Sequence, residues 1–160
     1  MKLRYGIGIL TALLALSACT AQVTAPLEPV SVQVFFYSPE DLQNATYEHP
    51  VSVSRTVAPH EFAADAVLRM LFAGPTEQER QMGVETSDDL ANLGPLYLGV
   101  RVDGDVATVN FQPDALAILN SAAARQMMVK APLEATLLGL PEIESVRYAI
   151  DGEIFEEWDA

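Results

Sequence analysis

Hydrophobic and polar positions alternate cleanly over residues 30–37. Val30, Val32, Val34 and Phe36 share one face, while Ser31, Gln33, Phe35 and Tyr37 share the other. A period of two, carried by β-branched and aromatic side chains, predicts a strand. The aromatics on its second face predict that both sides are partly covered. Residues 38–50 read as a polar loop holding Asp41, Asn44, Glu48 and His49. Alternation resumes over 51–57, with Val51, Val53, Arg55 and Val57 in phase. An arginine on that face is expected to snorkel at a sheet edge, its stem on apolar surface and its head in water. Pro59 opens a helix, because its missing N–H is harmless in a first turn. Ala63, Ala66, Val67, Met70 and Leu71 form the helix's apolar stripe, and Gly74 with Pro75 ends it. Thr76 and Glu79 have capping-box spacing, so a second short helix follows at once and stops near Gly83. Residues 85–95 read as an acidic surface loop.

The pattern over 96–111 predicts a hairpin turning at Asp103-Gly104. With those two residues as the turn, Val102 pairs with Asp105, Val100 with Ala107, Leu98 with Val109 and Leu96 with Phe111. Nearly every large apolar residue then falls on one face, and Arg101, Thr108 and Asn110 on the other. A slip of one residue inverts that segregation. Residues 113–119 suit a helical turn, and Ser121 suits the cap of a helix running through Ala124, Met127 and Met128. Pro132 is expected to kink or divide that helix before Leu138 and Gly139. Val146, Tyr148 and Ile150 alternate as a closing strand ending at Asp151-Gly152, and residues 153–158 read as a further strand or a loosely held end. The expected fold class is therefore α+β: a single compact domain with a mostly antiparallel sheet, a central Asp-Gly hairpin and two main helices.

The N-terminus has a different pattern. Lys2 and Arg4 precede an apolar run over residues 7–16, and small residues follow in Leu16-Ser17-Ala18-Cys19. That order reads as a secretory signal. The run falls short of the roughly 20 apolar residues that span a bilayer. The quartet resembles the lipobox of bacterial lipoproteins. The resemblance implies cleavage before Cys19, a diacylglyceryl group on its sulfur, and acylation of the new amino end. A plain secretory signal that happens to contain Cys19, or a buried core cysteine, are the alternatives. The expected organisation is a signal peptide over 1–18, a lipidated tether over 19–29 bearing Pro26 and Pro29, and a domain over 30–160. The expected location is the extracytoplasmic side of a cell membrane, with inner and outer membrane both open.

Composition narrows the chemistry. The chain carries 22 Asp+Glu against 9 Lys+Arg, a formal net charge of −13. Such a balance argues against nucleic acid and against adsorption to anionic headgroups, and it permits cationic partners. With Cys19, the only cysteine, lipidated, no thiol remains for a disulfide or a metal site. A tethered hydrolase needs a nucleophile, a base and an orienter. The two histidines, His49 and His60, each lie beside a proline, where polar surface residues are ordinary. No Gly-x-Ser-x-Gly elbow, His-Glu-x-x-His pair or phosphate-cradling glycine loop is present. The acid pairs Asp88-Asp89 and Glu156-Glu157 are adjacent in sequence, which in extended chain turns them apart. Asp103 and Asp105 admit a metal-ligand reading, but turn chemistry accounts for Asp103. Capture of a small ligand would draw on Phe35, Tyr37, Tyr97 and Tyr148, which also suit sheet packing. No catalytic, cofactor-binding or metal residue is expected, and lipidation of Cys19 is the one expected site.

Several of these residues together resemble a known family. Arg55 before a helix, Leu71-Phe72-Ala73-Gly74-Pro75-Thr76 with Glu79, and Gly83 look like the first half of a GerMN domain. Residues 100–111 look like its central hairpin, and 146–152 like its closing strand and Asp-Gly turn. The likeness runs over about residues 30–153. It implies a compact α+β domain, found mostly in membrane-tethered envelope proteins and first named for sporulation and germination, that helps assemble or support envelope complexes and has no catalytic residues to carry over. The chain departs from the pattern at Glu85-Thr86, where the family commonly runs Ser-x-hydrophobic-Pro, and at Pro132. The expected function is a lipid-anchored, non-enzymatic binding or assembly module of the envelope. Its expected partners are the membrane, through Cys19, and envelope proteins, with oligomeric state open. The alternatives are a tethered periplasmic hydrolase and a protein binding small ligands or peptidoglycan fragments.

Overall fold

A computed structural model describes residues 28–47, 49–59 and 61–156. The candidate signal peptide, Cys19, most of the tether, Glu48, His60, and Glu157 with the three residues after it lie outside the described residues. Strand β1 (Val30–Phe36) pairs antiparallel with β2 (Val51–Val57), Val34 lying opposite Val53. Val32, Val34 and Phe36 are buried, as the alternation predicts. Between the strands, helix α1 (Pro39–Asn44) replaces the expected loop. Ser38 accepts the Asp41 N–H at its start, Pro39 sits in its first turn, and Glu40 and Asp41 lie at the positive end of its dipole. It buries no residue, so it left no apolar stripe in the sequence.

Helix α2 (Ala63–Phe72) starts four residues later than Pro59. The expected first turn instead closes on itself, with the Glu61 N–H donating to the Ala58 carbonyl and the Ala58 N–H to the Glu61 carboxylate. The buried face is Ala64, Val67, Leu68 and Leu71, rotated from the expected stripe. Gly74 follows with φ +78, a left-handed value that favours glycine. Helix α3 (Glu77–Gln81) opens with the predicted Thr76/Glu79 capping box.

The stretch over 85–95 is not a surface loop. Glu85 and Tyr37 exchange backbone hydrogen bonds of 2.7 and 2.9 Å. Ser87 caps helix α4 (Asp88–Leu93), whose Leu90 and Leu93 are fully buried. Its acids occupy the first turn, where the helix dipole favours them, and two leucines three residues apart are its whole inward face.

Strands β3 (Tyr97–Asp103) and β4 (Val106–Phe111) form the central hairpin, with a corrected register. Val102 pairs with Ala107 and Val100 with Val109, so the turn is Gly104-Asp105. Gly104 has φ +63, which suits a two-residue turn that takes glycine first. The shift moves each partner by two, so the predicted faces survive. A bulge between Tyr97 and Gly99 then ends the regular pairing. It brings Tyr97 opposite Phe111 and leaves Leu98 outside. After the short helix α5 (Leu116–Leu119), Ser121 donates to the Ile118 carbonyl, and Ala122 takes the capping position of α6 (Ala123–Leu138). Pro132 does not divide α6, which runs unbroken for 16 residues. Burial of Val129, Leu133 and Leu137 on either side of it offsets the one helical hydrogen bond a proline removes.

Strand β5 (Ser145–Ile150) lies parallel to β4, and β6 (Glu153–Phe155) returns antiparallel through Asp151 and Gly152. Their φ values of 49 and 87 match a turn that needs positive φ at both central residues. The second sheet thus has the order β3-β4-β5-β6, and three of the four ladders among the described residues are antiparallel. One buried cluster, including Phe36, Leu68, Leu90, Val109, Phe111 and Leu133, joins both sheets to α2, α4 and α6. The α+β expectation stands, with two sheets rather than one. Among the described residues no helix is long and apolar enough to cross a membrane.

Leu90→Ala is expected to cost about 2–5 kcal/mol, the usual range for a buried leucine, in urea unfolding. Leu98→Ala, at the half-exposed bulge, is expected to stay within about 0.5 kcal/mol. Equal effects would mean that 85–95 is not part of the core.

Candidate functional site

Arg55 lies on the inward face of β2, as its phase predicts, but it does not snorkel. Its side chain is 14% exposed and that of Glu79 is 10% exposed. The guanidinium donates to Glu79 Oε2 at 2.6 Å and Oε1 at 3.2 Å, to the Met70 carbonyl at 2.9 Å and to the Gly74 carbonyl at 3.0 Å. Its Cζ stands 5.2 Å from the Phe36 ring centroid. Glu79 Oε2 also accepts the Thr76 N–H at 2.6 Å. One planar cation thus satisfies carbonyls at the end of α2 and the capping carboxylate of α3. The Arg55 hydrogen bond holds the Glu79 carboxyl below its ordinary 4.5; burial opposes this, and the Thr76 bonds assist.

The other polar clusters also tie elements together. Asp65 accepts from Tyr97 Oη at 2.8 Å and from Arg69 Nε at 2.6 Å. Burial alone would raise its carboxyl, but these two bonds outweigh it and leave the group below the ordinary range. Arg125 Nε donates to Asp89 Oδ2 at 2.7 Å, joining α6 to α4. Phe35 is half-buried, and its N–H donates to Thr136 Oγ1 at 3.0 Å, tying β1 to α6.

The aromatics considered for ligand capture are dispersed packing residues. Tyr37 is buried against Tyr47, with centroids 5.9 Å apart. Tyr97 packs on Phe72 at 5.1 Å, and Tyr148 is buried with its hydroxyl donating to Glu134 at 3.1 Å. Burial pushes all three phenols well above their ordinary value. Asp88 and Asp89 open α4, where Asp89 is committed to Arg125. Asp103, Asp105, Glu156 and His49 are exposed. No group of three or more potential metal ligands occurs among the described residues. Cys19, His60 and Glu157 lie outside them.

What remains open is the outer face of the four-stranded sheet. Gly99, Asn110, Ala149 and Ile154 lie side by side across its four strands, as do Arg101, Thr108 and Arg147 across three. A trough of about 380 Å³ runs over this face, lined by Leu98, Gly99, Arg101, Thr108, Ala149 and Ile154 among others. Sequence reasoning put Arg101 and Thr108 on the polar side of their hairpin. It missed Arg147 beside them, because only the parallel β4–β5 register brings it there.

Fold and side chains together define a small α+β domain whose charged and aromatic groups mostly hold its elements to one another. The chain belongs to the Germane family, described as sporulation and spore germination, whose model matches residues 33–156. No curated protein sequence matches it. Among solved structures it is similar to the tandem GerMN domains of the sporulation protein GerM from Bacillus subtilis, with 18% identity and a TM-score of 0.53, covering 79% of this chain and 39% of that one. This chain therefore spans about two fifths of the GerM structure, and at that identity the likeness is one of fold. A Clostridium perfringens chain described as a candidate lipoprotein gives 16% identity and a TM-score of 0.44, covering 78% of this chain and 76% of that one.

Arg55→Met is expected to cost about 3–5 kcal/mol, because it leaves a buried carboxylate without its partner. The double variant with Glu79→Gln should lose less than the two single losses combined. Because the folded carboxyl sits below 4.5, the unfolded chain binds more protons there. This contribution is complete above that pH and is lost as pH falls through the folded value. Urea midpoints measured on acidification should fall more steeply for the wild type than for Glu79→Gln.

Proposed function

We propose that the chain is a lipid-anchored, non-enzymatic envelope protein whose domain binds partners or helps assemble envelope complexes. The observation that carries this reading is the order of its parts. A domain of the sporulation and germination family over 33–156 follows Leu16-Ser17-Ala18-Cys19 after a short proline-bearing tether. A diacylglyceryl thioether supplies two chains, and stable anchoring takes two such signals where one chain gives marginal binding. Ten extended tether residues reach at most roughly 30–35 Å, which holds the domain near the bilayer. An acidic domain is repelled by anionic headgroups, so it stands off the surface with its faces accessible. The commitment of Arg55, Asp65, Asp89 and Glu134 to contacts between or within elements favours a binding role over a catalytic one.

Cells expressing the wild-type chain and fed an alkyne-bearing palmitate should label it, and Cys19→Ala should abolish the label. The wild type should also remain with the membrane fraction until detergent is added. Equal labelling of Cys19→Ala would remove the anchor from the account.

A further inference from the structure

The chain holds more than two acidic side chains for each basic one, so its cations have carboxylates to choose from. Among the described residues, Arg55, Arg69, Arg80, Arg125 and Lys130 each lie within 4.0 Å of a carboxylate. The two described cations left over are Arg101 and Arg147, both exposed. They do not lie apart: both flank Thr108 on the open sheet face, one in β3 and the other in β5. Neighbouring strands are about 4.7–4.9 Å apart, which sets the two arginine backbones roughly 10 Å apart.

Beside this pair the face changes character. Gly99, Asn110 and Ala149 give the trough a low floor. Leu98 is 49% exposed and Ile154 47% exposed, standing on the two edge strands. Three strand spacings make the trough about 14 Å wide. An α-helix with its side chains is about 10–12 Å across.

We propose that this face docks an acidic amphipathic helix of a partner envelope protein. Its apolar ridge lies in the trough between Leu98 and Ile154, and carboxylates beside the ridge meet Arg101 and Arg147. The inference rests on the reading of the domain as an envelope-binding module and names its surface and the chemistry of its partner. Charge complementarity selects the occupant. A carboxylate forms two parallel hydrogen bonds with a guanidinium. The other described cations already lie within 4.0 Å of a carboxylate of the chain itself, which leaves this pair as the better site for an acidic partner. A polyanion without apolar groups would leave Leu98 and Ile154 in water, so an amphipathic protein segment fits better than a glycan or lipid headgroup.

The test uses the full chain in nonionic detergent and three synthetic peptides. One is an amphipathic helix with glutamates beside a leucine ridge, the second replaces those glutamates with lysines, and the third is polyglutamate. The glutamate–leucine helix should bind in fluorescence anisotropy. Arg101→Glu with Arg147→Glu should weaken it at least about tenfold, Arg101→Lys with Arg147→Lys should weaken it less, and Arg80→Gln should leave it unchanged. Matching thermal unfolding curves establish that these surface variants fold. Failure of the helix to bind, equal binding of the lysine peptide, equal binding of polyglutamate, or indifference to charge reversal each overturns the proposal. Detergent-solubilised membranes separate the two levels. If wild type and charge-reversed chain recover the same envelope proteins, the face assignment falls and the module reading stands; if neither recovers any, the module reading falls with it.

Discussion

The structure turns on one desolvated cation. Arg55 must place its guanidinium among two backbone carbonyls and one carboxylate that belong to three different parts of the chain. Helix ends leave carbonyls without partners, and α2 ends against the protein rather than in water, so those groups need a donor from elsewhere. Glu79 closes the capping box of α3 and in the same place neutralises the arginine. Each group would be unfavourable there alone. Together they fix where β2, the end of α2 and the start of α3 meet, with Phe36 beneath the cation. The Gly74-Pro75-Thr76 turn therefore has a physical reason. Gly74 takes a left-handed conformation and presents its carbonyl to Arg55, Pro75 breaks the helix, and Thr76 begins the next one.

What the sequence makes legible follows the range of the interactions. Caps and turns that need two to four neighbouring residues are readable, as with Thr76/Glu79 and Asp151-Gly152. The alternation of β1 and β2 is readable because one face is buried. The hairpin register is not, since a period of two is unchanged by a shift of two; Gly104-Asp105 and Asp103-Gly104 give the same faces. The bulge at Tyr97–Gly99 escapes for a different reason: Leu96, Tyr97 and Leu98 are all apolar, so the pattern does not say which of them turns outward, and the exposure of Leu98 escapes with it. Helices α1 and α4 escape because a six-residue helix needs no full apolar stripe; their Ser38 and Ser87 caps were the available signal. The destination of Arg55 needed a partner 24 residues away, which a phase argument does not supply.

The open face was the hardest part to read. Its defining row crosses β3, β4 and β5, and β4 and β5 run parallel across the α5–α6 connection. Alternation within each strand assigns Arg101 and Arg147 to polar positions, but nothing local says that those positions adjoin. Only the crossover does. Charge counting is equally blind, because a large acidic excess predicts that every cation finds a carboxylate, and most here do.

The two faces of the four-stranded sheet therefore carry different information. The inward face is specified by packing: Ala107, Val109 and Phe111 are fully buried, and their neighbours limit what replaces them. On the outward face Ala149 is still buried, but Leu98, Arg101, Arg147 and Ile154 are exposed and free to serve contacts beyond the chain. Under the proposed anchoring, such a face would not need high affinity to meet a membrane partner, since tethering raises the effective concentration of a second contact. A modest surface with two cations and two exposed aliphatic side chains would then suffice. Its selectivity would come from the acidic excess of the chain, which disfavours an anionic partner where no cation is left over.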